Sequence, residues 1–248
     1  MRKLARLEHL LDAFAVEGKR VLDAGTGVGV GALALLRKGA ASIVSVSIRP
    51  SDMEQARTQI PELRDGRVEF RCANLSELSA VSNGEFDFCL ADHLLSAVDA
   101  LTPGEHASVV SEIYRVLRPG GMLAAVDTNT ADTTGQSEPL IELAELWRTI
   151  TLQRGDHEYG SYSPQWVSAL LEGVGFSVDA PLWLGSEPRD VHFVAANEEG
   201  LRRAIDGLPP DARESLESQH VRVVERLRAA LPLRGPRVYA VCAEKPAG

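Results

Sequence analysis

The stretch "VLDAGTGVGVGALALLRKG", residues 21–39, constrains the fold of this 248-residue chain more than any other. Glycine occupies four alternate positions within it: Gly25, Gly27, Gly29 and Gly31. An apolar run before them and a run rich in alanine and leucine after them predict a strand, a tight turn and a helix. Glycine permits positive φ and close approach of a ligand, and the free N–H groups of a helix start suit an anion. The junction therefore predicts a ligand site.

Short apolar runs and helical patterns alternate along the first half of the chain. Strands are predicted in "KRVLDAG", "ASIVSVSIRP", "RVEFRCANL", "GEFDFCLADHLL" and "MLAAVDTN", and helices in "VGALALLRKG", Asp52 to Thr58 and "GEHASVVSEIYRVLRPGG". The N-terminal Leu4, Leu7, Leu11 and Phe14 recur at helical spacing. Such alternation predicts an α/β fold with right-handed crossovers, and nearly all-apolar strands predict a parallel sheet covered on both faces.

The second half departs from this alternation in two places, residues 128–165 and 186–235. Between them, the helix "PQWVSALLEGVG" and the strand "FSVDAPLWL" resume the pattern, and "PRVYAVCAEKP" is a closing strand. No repeat, low-complexity stretch or linker divides the chain, so a single domain over residues 1–248 is expected.

Composition narrows the classes of partner. The net charge of -9 disfavours nucleic acid as a partner. The sequence has no run of about 18 apolar residues, so no membrane span is expected. The six histidines show no ligand spacing, so no metal site is predicted. Cys72, Cys89 and Cys242 lie in strand-like runs without a CxxC pair. They are expected to be buried, reduced thiols of a cytoplasmic protein.

The spacing of the glycines discriminates between nucleotide ligands. The dinucleotide fingerprint GxGxxG requires a glycine at position 30, which is Val30, and this disfavours a dehydrogenase. The observed spacing is DxGxGxG, from Asp23 to Gly29. Together with "GEFDFCLAD", "EIYRVLRPGGMLAAVD" and "VYAVCAEKP", it resembles the class I S-adenosylmethionine-dependent methyltransferases of the small-molecule type. The resemblance covers residues 18–128 and the last strand.

This resemblance implies a Rossmann-like, seven-stranded, mostly parallel sheet with helices on both faces. Helical insertions follow strands five and six, and residues 128–165 and 186–235 would form a substrate pocket or lid. The cofactor implied is S-adenosylmethionine. The residues implied to bind it are Asp23, Gly25, Thr26, Gly27, Gly29, Ser47, Ile48, Asn74, Leu75 and Ala91.

Family behaviour implies a role for several of these residues. The backbone of Gly25, Thr26 and Gly27 would pass under the methionine part of the cofactor, and Asp23 would help to hold its amino group. Asn74 and Leu75 would meet the adenine, although Asn74 is also a common turn residue. Ala91 would lie near the methionyl end.

Ser47 departs from the family pattern. The second strand of these enzymes commonly ends in Asp or Glu, which binds both ribose hydroxyls, whereas serine offers one neutral hydroxyl. The loss is expected to weaken cofactor binding by ~1–2 kcal/mol unless another group replaces it. Arg49, two residues further on, has two alternative roles, favouring an anionic group or lying in solvent, and the solvent position is expected.

Two segments are candidates for the chemistry. Asp92 and His93 follow the fourth strand, and His93 is the better general base because its pKa lies near neutrality; the alternative is that His93 only begins the next helix. The segment "RGDHEYGSYSP" contributes His157, Tyr159 and Tyr162 as substrate-binding candidates, with a solvated loop as the alternative.

The sequence thus predicts methyl transfer to an oxygen, nitrogen or carbon of a small-molecule acceptor. A non-catalytic or altered-cofactor protein of the same fold, with weakened binding at Ser47, is the alternative. A third hypothesis is another use of the same cofactor, such as aminopropyl transfer. The helix around Glu217 to Leu231 would cover the pocket or form the face of a homodimer, and the sequence leaves both open.

Overall fold

The computed structural model describes residues 2–247 and has one mixed sheet with helices on both faces. The strands are β1 Arg20–Ala24, β2 Ser42–Ser47, β3 Val68–Cys72, β4 Phe86–Asp92, β5 Leu117–Asn129, β6 Ser177–Val178, β7 Leu182–Arg189 and β8 Leu233–Glu244. The α-helices are α1 Arg2–Leu11, α2 Val30–Arg37, α3 Pro50–Gln59, α4 Leu94–Leu101, α5 His106–Val116, α6 Glu138–Gln153, α7 Pro164–Val174, α8 Val191–Asp206 and α9 Pro210–Ala229.

The strand order is β3-β2-β1-β4-β5-β8-β6, and β7 also pairs with β8. Strands β1 to β5 pair in parallel, whereas β8 runs antiparallel to β5, β6 and β7. The chain therefore starts in the middle of the sheet, moves out to β3 and then crosses to β4. The carboxyl ends of β1 to β5 meet at one edge, where open α/β sheets bind ligands.

Alternate residues of each strand enter different apolar cores. In β1, Leu22 joins a core with the helices α4, α5 and α7, while Val21 joins a core with α1 and α2. In β4, Cys89 joins the first of these cores and Phe88 joins the second. This two-sided burial explains why the strands are nearly continuous apolar runs. It confirms the predicted Rossmann-like sheet with helices on both faces.

Within residues 2–247 the sheet has eight strands rather than the predicted seven. The expected strand "FSVDAPLWL" is interrupted, because Val178 pairs with Ala243 whereas Leu182 pairs with Ala240. Between these pairs lie three residues of one strand, 179–181, but only two of β8, Val241 and Cys242, which is a bulge. Pro181 lies in it, where a ladder hydrogen bond from an N–H is not needed. Strand β7 also extends to Arg189, inside the segment expected to begin a helical insertion at residue 186.

The helices of the two departing segments pack mainly on one another. A third apolar core joins α6, α8 and α9 through side chains such as Leu143, Leu201 and Leu227. Cys89 and Cys242 are buried as predicted, but Cys72 is exposed because it ends the edge strand β3. No helix in residues 2–247 is long and apolar enough to cross a membrane.

Candidate active site

A cleft of about 960 Å³, open solvent at its mouth included, lies at the carboxyl ends of the parallel strands. It is lined by Gly25–Val28 after β1, Ser47–Arg49 after β2, Ala73–Leu75 after β3 and Asp92–Leu94 after β4. Other elements contribute the rest of the wall. These lining residues are Lys3, Val30, Gly31, Asp52, Ala97, Val98, Leu101, Thr102, Val109 and Tyr159. The topology thus brings together residues that are far apart in the chain, at the edge where the sequence predicts a cofactor.

The glycines of the first turn meet different constraints. Gly25, Gly27 and Gly29 have φ of 81°, 49° and 87°, a region that side chains rarely adopt. A Cβ on Gly27 would project into open space, with no neighbour closer than the Gly25 carbonyl oxygen at 4.0 Å. A Cβ on Gly29 would lie 2.6 Å from Leu63 Cδ1 and 2.8 Å from Ala56 Cβ. Gly27 therefore keeps the cleft open, whereas Gly29 lets α2 pack closely against α3 and the following turn.

Asp23 lies behind the glycine turn rather than on the cleft wall. Its carboxylate is buried and accepts a hydrogen bond from Ser45 Oγ at 3.0 Å. A Cβ on Gly31, which does line the cleft, would lie 2.6 Å from Asp23 Oδ1. Burial raises the pKa of Asp23 to about 6, and the nearby Asp92 carboxylate acts in the same direction. Asp23 is thus an electronegative group just beneath the cleft.

Asn74 forms a turn and also faces the cleft. Its Oδ1 accepts from the backbone N–H of Ser76 and its Nδ2 donates to Glu105 Oε2, both at 3.1 Å. An amide oxygen has two lone pairs, so one remains for the predicted contact with an exocyclic amine. Leu75 is buried beside it and contributes an apolar surface.

Ser47 ends β2 as predicted, but its hydroxyl is not isolated. Ser47 Oγ donates to Asp52 Oδ2 at 3.0 Å and accepts from the backbone N–H of Arg49 at 3.1 Å. Arg49 is exposed, as expected, and its Nε also donates to the same carboxylate oxygen of Asp52 at 3.1 Å. Sequence reasoning missed Asp52, although it stands in the first turn of the predicted third helix.

Asp92 carries a second unexpected partner. Lys3 on α1 places its Nζ 2.6 Å from Asp92 Oδ2, and both side chains line the cleft. The other oxygen, Oδ1, is buried and has no hydrogen-bond partner in the described part of the chain. A buried, half-satisfied carboxylate beside the cleft is suited to a cationic ligand group. Lys3 gave no signal in the sequence because nothing local links α1 to the end of β4.

The position of His93 agrees with either alternative that the sequence leaves open. It precedes α4 with a φ of 57° and lines the cleft. Its Nδ1 lies 3.1 Å from Asp127 Oδ1, and its Nε2 lies 3.9 Å from Asp92 Oδ1. A carboxylate that accepts from Nδ1–H fixes the tautomer in which Nε2 is free to accept a proton.

Asp127 is held firmly at the end of β5. It is buried and accepts from Ser96 Oγ at 2.6 Å and from the backbone N–H of Thr128 at 2.7 Å. The register explains its position, because Asp92 pairs with Val126 and the N–H of His93 donates to the Val126 carbonyl. Sequence reasoning missed Asp127. The available signal was a carboxylate at the end of a strand parallel to the one that precedes His93.

The segment between α6 and α7 contributes one side chain to the cleft. Tyr159 lines the cleft mouth, whereas His157 is exposed and away from it. Tyr162 turns inward. Its hydroxyl donates to Asp99 and lies 3.0 Å from His106 Nε2, and its ring stacks on the ring of Trp166. The described geometry gives Tyr162 a structural contact, and substrate binding by His157 and Tyr162 stays a prediction without support from it. Ala91 likewise lies in the apolar core rather than on the cleft wall.

Comparison with known proteins identifies the family. A family model described as a methyltransferase domain matches residues 22–125. An O-methyltransferase of Aspergillus nomiae is 28% identical over 165 residues, which are 66% of this chain and 67% of the relative. A ubiquinone biosynthesis O-methyltransferase of Xanthomonas euvesicatoria is 26% identical over 176 residues, 70% of this chain and 69% of the relative. The family model and these relatives support a class I S-adenosylmethionine-dependent methyltransferase. This confirms the predicted family, enzyme class and cofactor.

Solved structures show the fold of this methyltransferase in other proteins. The YcgJ protein of Bacillus subtilis aligns with a TM-score of 0.64 at 17% identity, over 98% of this chain and 99% of that one. The [4+2]-cyclase SpnF aligns with a TM-score of 0.63 at 22% identity, over 98% of this chain and 82% of that one. At these identities the likeness extends to the fold alone.

The cleft of the methyltransferase fits its cofactor. S-adenosylmethionine carries an adenine, a ribose, a carboxylate, an ammonium and a methyl group on a positively charged sulfur. The open space above Gly27 accommodates a close backbone approach, and the unpartnered Asp92 Oδ1 and buried Asp23 suit positive charge. Among residues 2–247, no group of three or more His, Cys, Asp or Glu side chains is placed to hold a metal ion.

Proposed function

We propose that this methyltransferase methylates a hydroxyl oxygen of a small-molecule acceptor, with His93 as the general base. The observation that carries the proposal is the 3.1 Å contact between His93 Nδ1 and the buried Asp127. A hydroxyl becomes a much better nucleophile when its proton is removed during attack, and a histidine oriented by a carboxylate is suited to this task.

The residues around the cleft divide the work. The cofactor supplies an electrophilic methyl group, and the enzyme aligns the acceptor with it and excludes water, which can contribute ~7–11 kcal/mol in favourable cases. His93 Nε2 takes the proton of the acceptor hydroxyl. Asp127 holds the ring through Nδ1 and stabilises the imidazolium that results. Ser96 in turn holds Asp127, so the base has a fixed orientation.

The nature of the acceptor follows from the shape and charge of the site. The cleft is a concave site with apolar side chains and a few polar groups, as small-molecule sites commonly are. Tyr159 at the mouth offers a ring face and a hydroxyl to an acceptor. The net charge of -9 disfavours nucleic acid. Two similar proteins are named O-methyltransferases, which agrees with a hydroxyl acceptor.

The test compares the variants His93→Gln and Asp127→Asn with the wild-type enzyme. Because the acceptor is unidentified, turnover is first sought with catechol and related phenols and with matched anilines, by measuring S-adenosylhomocysteine formation. With an active phenol, kcat of His93→Gln is expected to fall ~10²–10⁴-fold, the range for a lost general base. Asp127→Asn is expected to lose at least tenfold, because an amide can favour the wrong tautomer.

Affinity for S-adenosylhomocysteine, measured by calorimetry, should change less than threefold in both variants. His192→Gln is the matched control, because His192 is an exposed histidine on α8. Unchanged kcat in His93→Gln, or activity with the anilines alone, would contradict a base-assisted transfer to a hydroxyl.

A further inference from the structure

The end of β2 lacks the acidic residue that the family commonly has there, yet a carboxylate lies at this point of the cleft. It belongs to Asp52, in the first turn of α3, five residues after Ser47. Its side chain is only 16% exposed and lines the cleft. A different element thus presents a carboxylate where the strand itself does not.

Two donors fix the orientation of Asp52. Ser47 Oγ and Arg49 Nε both donate to Oδ2, at 3.0 Å and 3.1 Å. In the described part of the chain, the recorded hydrogen bonds of this carboxylate therefore end on one oxygen, and Oδ1 stays available. The Ser47 hydroxyl is itself engaged, since it donates to Asp52 and accepts from the Arg49 N–H. Serine is thus a positioning residue here rather than a shortened substitute for a carboxylate.

The order of the strands indicates what Asp52 faces. Strand β2 lies between β1, whose glycine turn suits the methionine part of the cofactor, and β3, which is followed by Asn74 and Leu75. In the cofactor, the ribose joins the methionine part to the adenine. The element that follows β2 therefore lies opposite the ribose, whose two hydroxyls are hydrogen-bond donors.

We propose that Asp52, presented by α3 and positioned by Ser47 and Arg49, binds the ribose hydroxyls of the cofactor. A carboxylate accepts charge-assisted bonds that are stronger than those of a neutral hydroxyl. Asp52 thereby replaces the strand-end acid of the family, and the weak cofactor binding expected from Ser47 does not arise. This inference concerns cofactor binding and does not depend on which atom of the acceptor is methylated.

The experiment is a cycle of two proteins and two ligands, measured by isothermal titration calorimetry. The proteins are the wild type and Asp52→Asn, and the ligands are S-adenosylhomocysteine and its 2′,3′-dideoxyribose analogue, which lacks both ribose hydroxyls. Asp52→Asn should bind S-adenosylhomocysteine about 10- to 100-fold more weakly, the range for a lost hydrogen bond to a charged group. The dideoxy analogue already lacks the contact, so the substitution should weaken its binding less than threefold.

Glu54→Gln is the matched control, because Glu54 is an exposed acid on the same helix; its affinities should equal those of the wild type. Thermal melting without ligand checks that Asp52→Asn is folded. Ser47→Ala adds an independent arm and should weaken S-adenosylhomocysteine binding about 3- to 10-fold. Equal losses for both ligands in Asp52→Asn would overturn the proposal, since Asp52 would then act on local structure. Equal affinity of the wild type for the two ligands would overturn it as well.

Discussion

Gly27 and Gly29 lie two positions apart, but their surroundings predict different effects of an alanine substitution. At Gly27 it should mainly weaken ligand binding, and at Gly29 it should mainly lower stability. Gly27→Ala adds a Cβ that meets only open space, so the free energy of unfolding should fall by ~1–2 kcal/mol for the left-handed backbone alone. The methyl group projects into the cleft and should weaken S-adenosylhomocysteine binding at least tenfold. Gly29→Ala adds a clash with Leu63 and Ala56 and should lose ~2–4 kcal/mol of stability.

Urea unfolding and calorimetric titration of the two variants measure both effects, and each variant serves as the control for the other. Wild-type affinity in a folded Gly27→Ala protein would contradict the proposed close approach of the cofactor. A Gly29→Ala protein as stable as Gly27→Ala would contradict the packing argument.

Individual residues of the site were predictable where the signal is local. The glycine turn, Ser47, Asn74, Asp92 and His93 all follow recognisable strands, so their placement at one sheet edge follows from a parallel topology. Lys3 and Asp52 were missed because each reaches the site from a helix, and their significance lies in a contact rather than in a motif. Asp127 was missed although it lies near the end of a predicted strand, as Asp92 does.

At the level of elements, the segment between α6 and α7 is fixed by a small set of contacts with α4 and α5. The hydroxyl of Tyr162 donates to Asp99 and lies near His106, while the N–H of Gly160 donates to the Ser96 carbonyl. Ser96 also holds Asp127, so one residue of α4 links this segment to the proposed base. The position of Tyr159 at the cleft mouth therefore depends on these contacts.

Tyr162→Phe should loosen this segment. The change removes one donor and leaves Asp99 without it, so the free energy of unfolding should fall by ~1–2 kcal/mol. Amide hydrogen exchange in residues 155–163 should become faster, whereas exchange in β1 and β4 should follow only the global change. Tyr114→Phe is the control, since Tyr114 lies on α5 and its ring packs edge-on against Phe176, beyond the end of α7. Unchanged exchange in residues 155–163 would contradict the anchoring role.

The boundaries of elements show where sequence patterns lose resolution. The alternation of strands and helices up to residue 128 predicted the sheet, because two-sided burial leaves a strong apolar signal. The break between β6 and β7 was not predicted, because both parts pair with β8 and read as one apolar run. The core formed by α6, α8 and α9 also depends on contacts between distant segments, which periodicity does not reveal.

At the scale of the whole molecule, the chain has a net charge of -9, and several aspartate carboxylates lie at its cleft. Asp23, Asp52 and Asp92 lie at or beneath one cleft that receives a cationic cofactor. Keeping such groups close together and away from water costs stability, and binding of a cation offsets that cost. Asp23 allows this trade-off to be measured, because its pKa is raised to about 6 from 3.8.

A raised pKa means that the folded state of Asp23 holds its proton more tightly than the unfolded state does. Between about pH 4 and pH 6 the folded protein therefore binds more protons, and stability falls as pH rises; above pH 6 the full penalty, about 3 kcal/mol, is present.

Asp23→Asn removes the titration of this carboxylate. Its unfolding free energy relative to the wild type should rise by about 2 kcal/mol from pH 4.5 to pH 7, while its affinity for S-adenosylmethionine should fall. Urea unfolding at several pH values measures the first effect and calorimetry the second, with the exposed Asp211→Asn as the control. If the free energies of unfolding of Asp23→Asn and the wild type changed equally with pH, burial would not raise the pKa of this carboxylate.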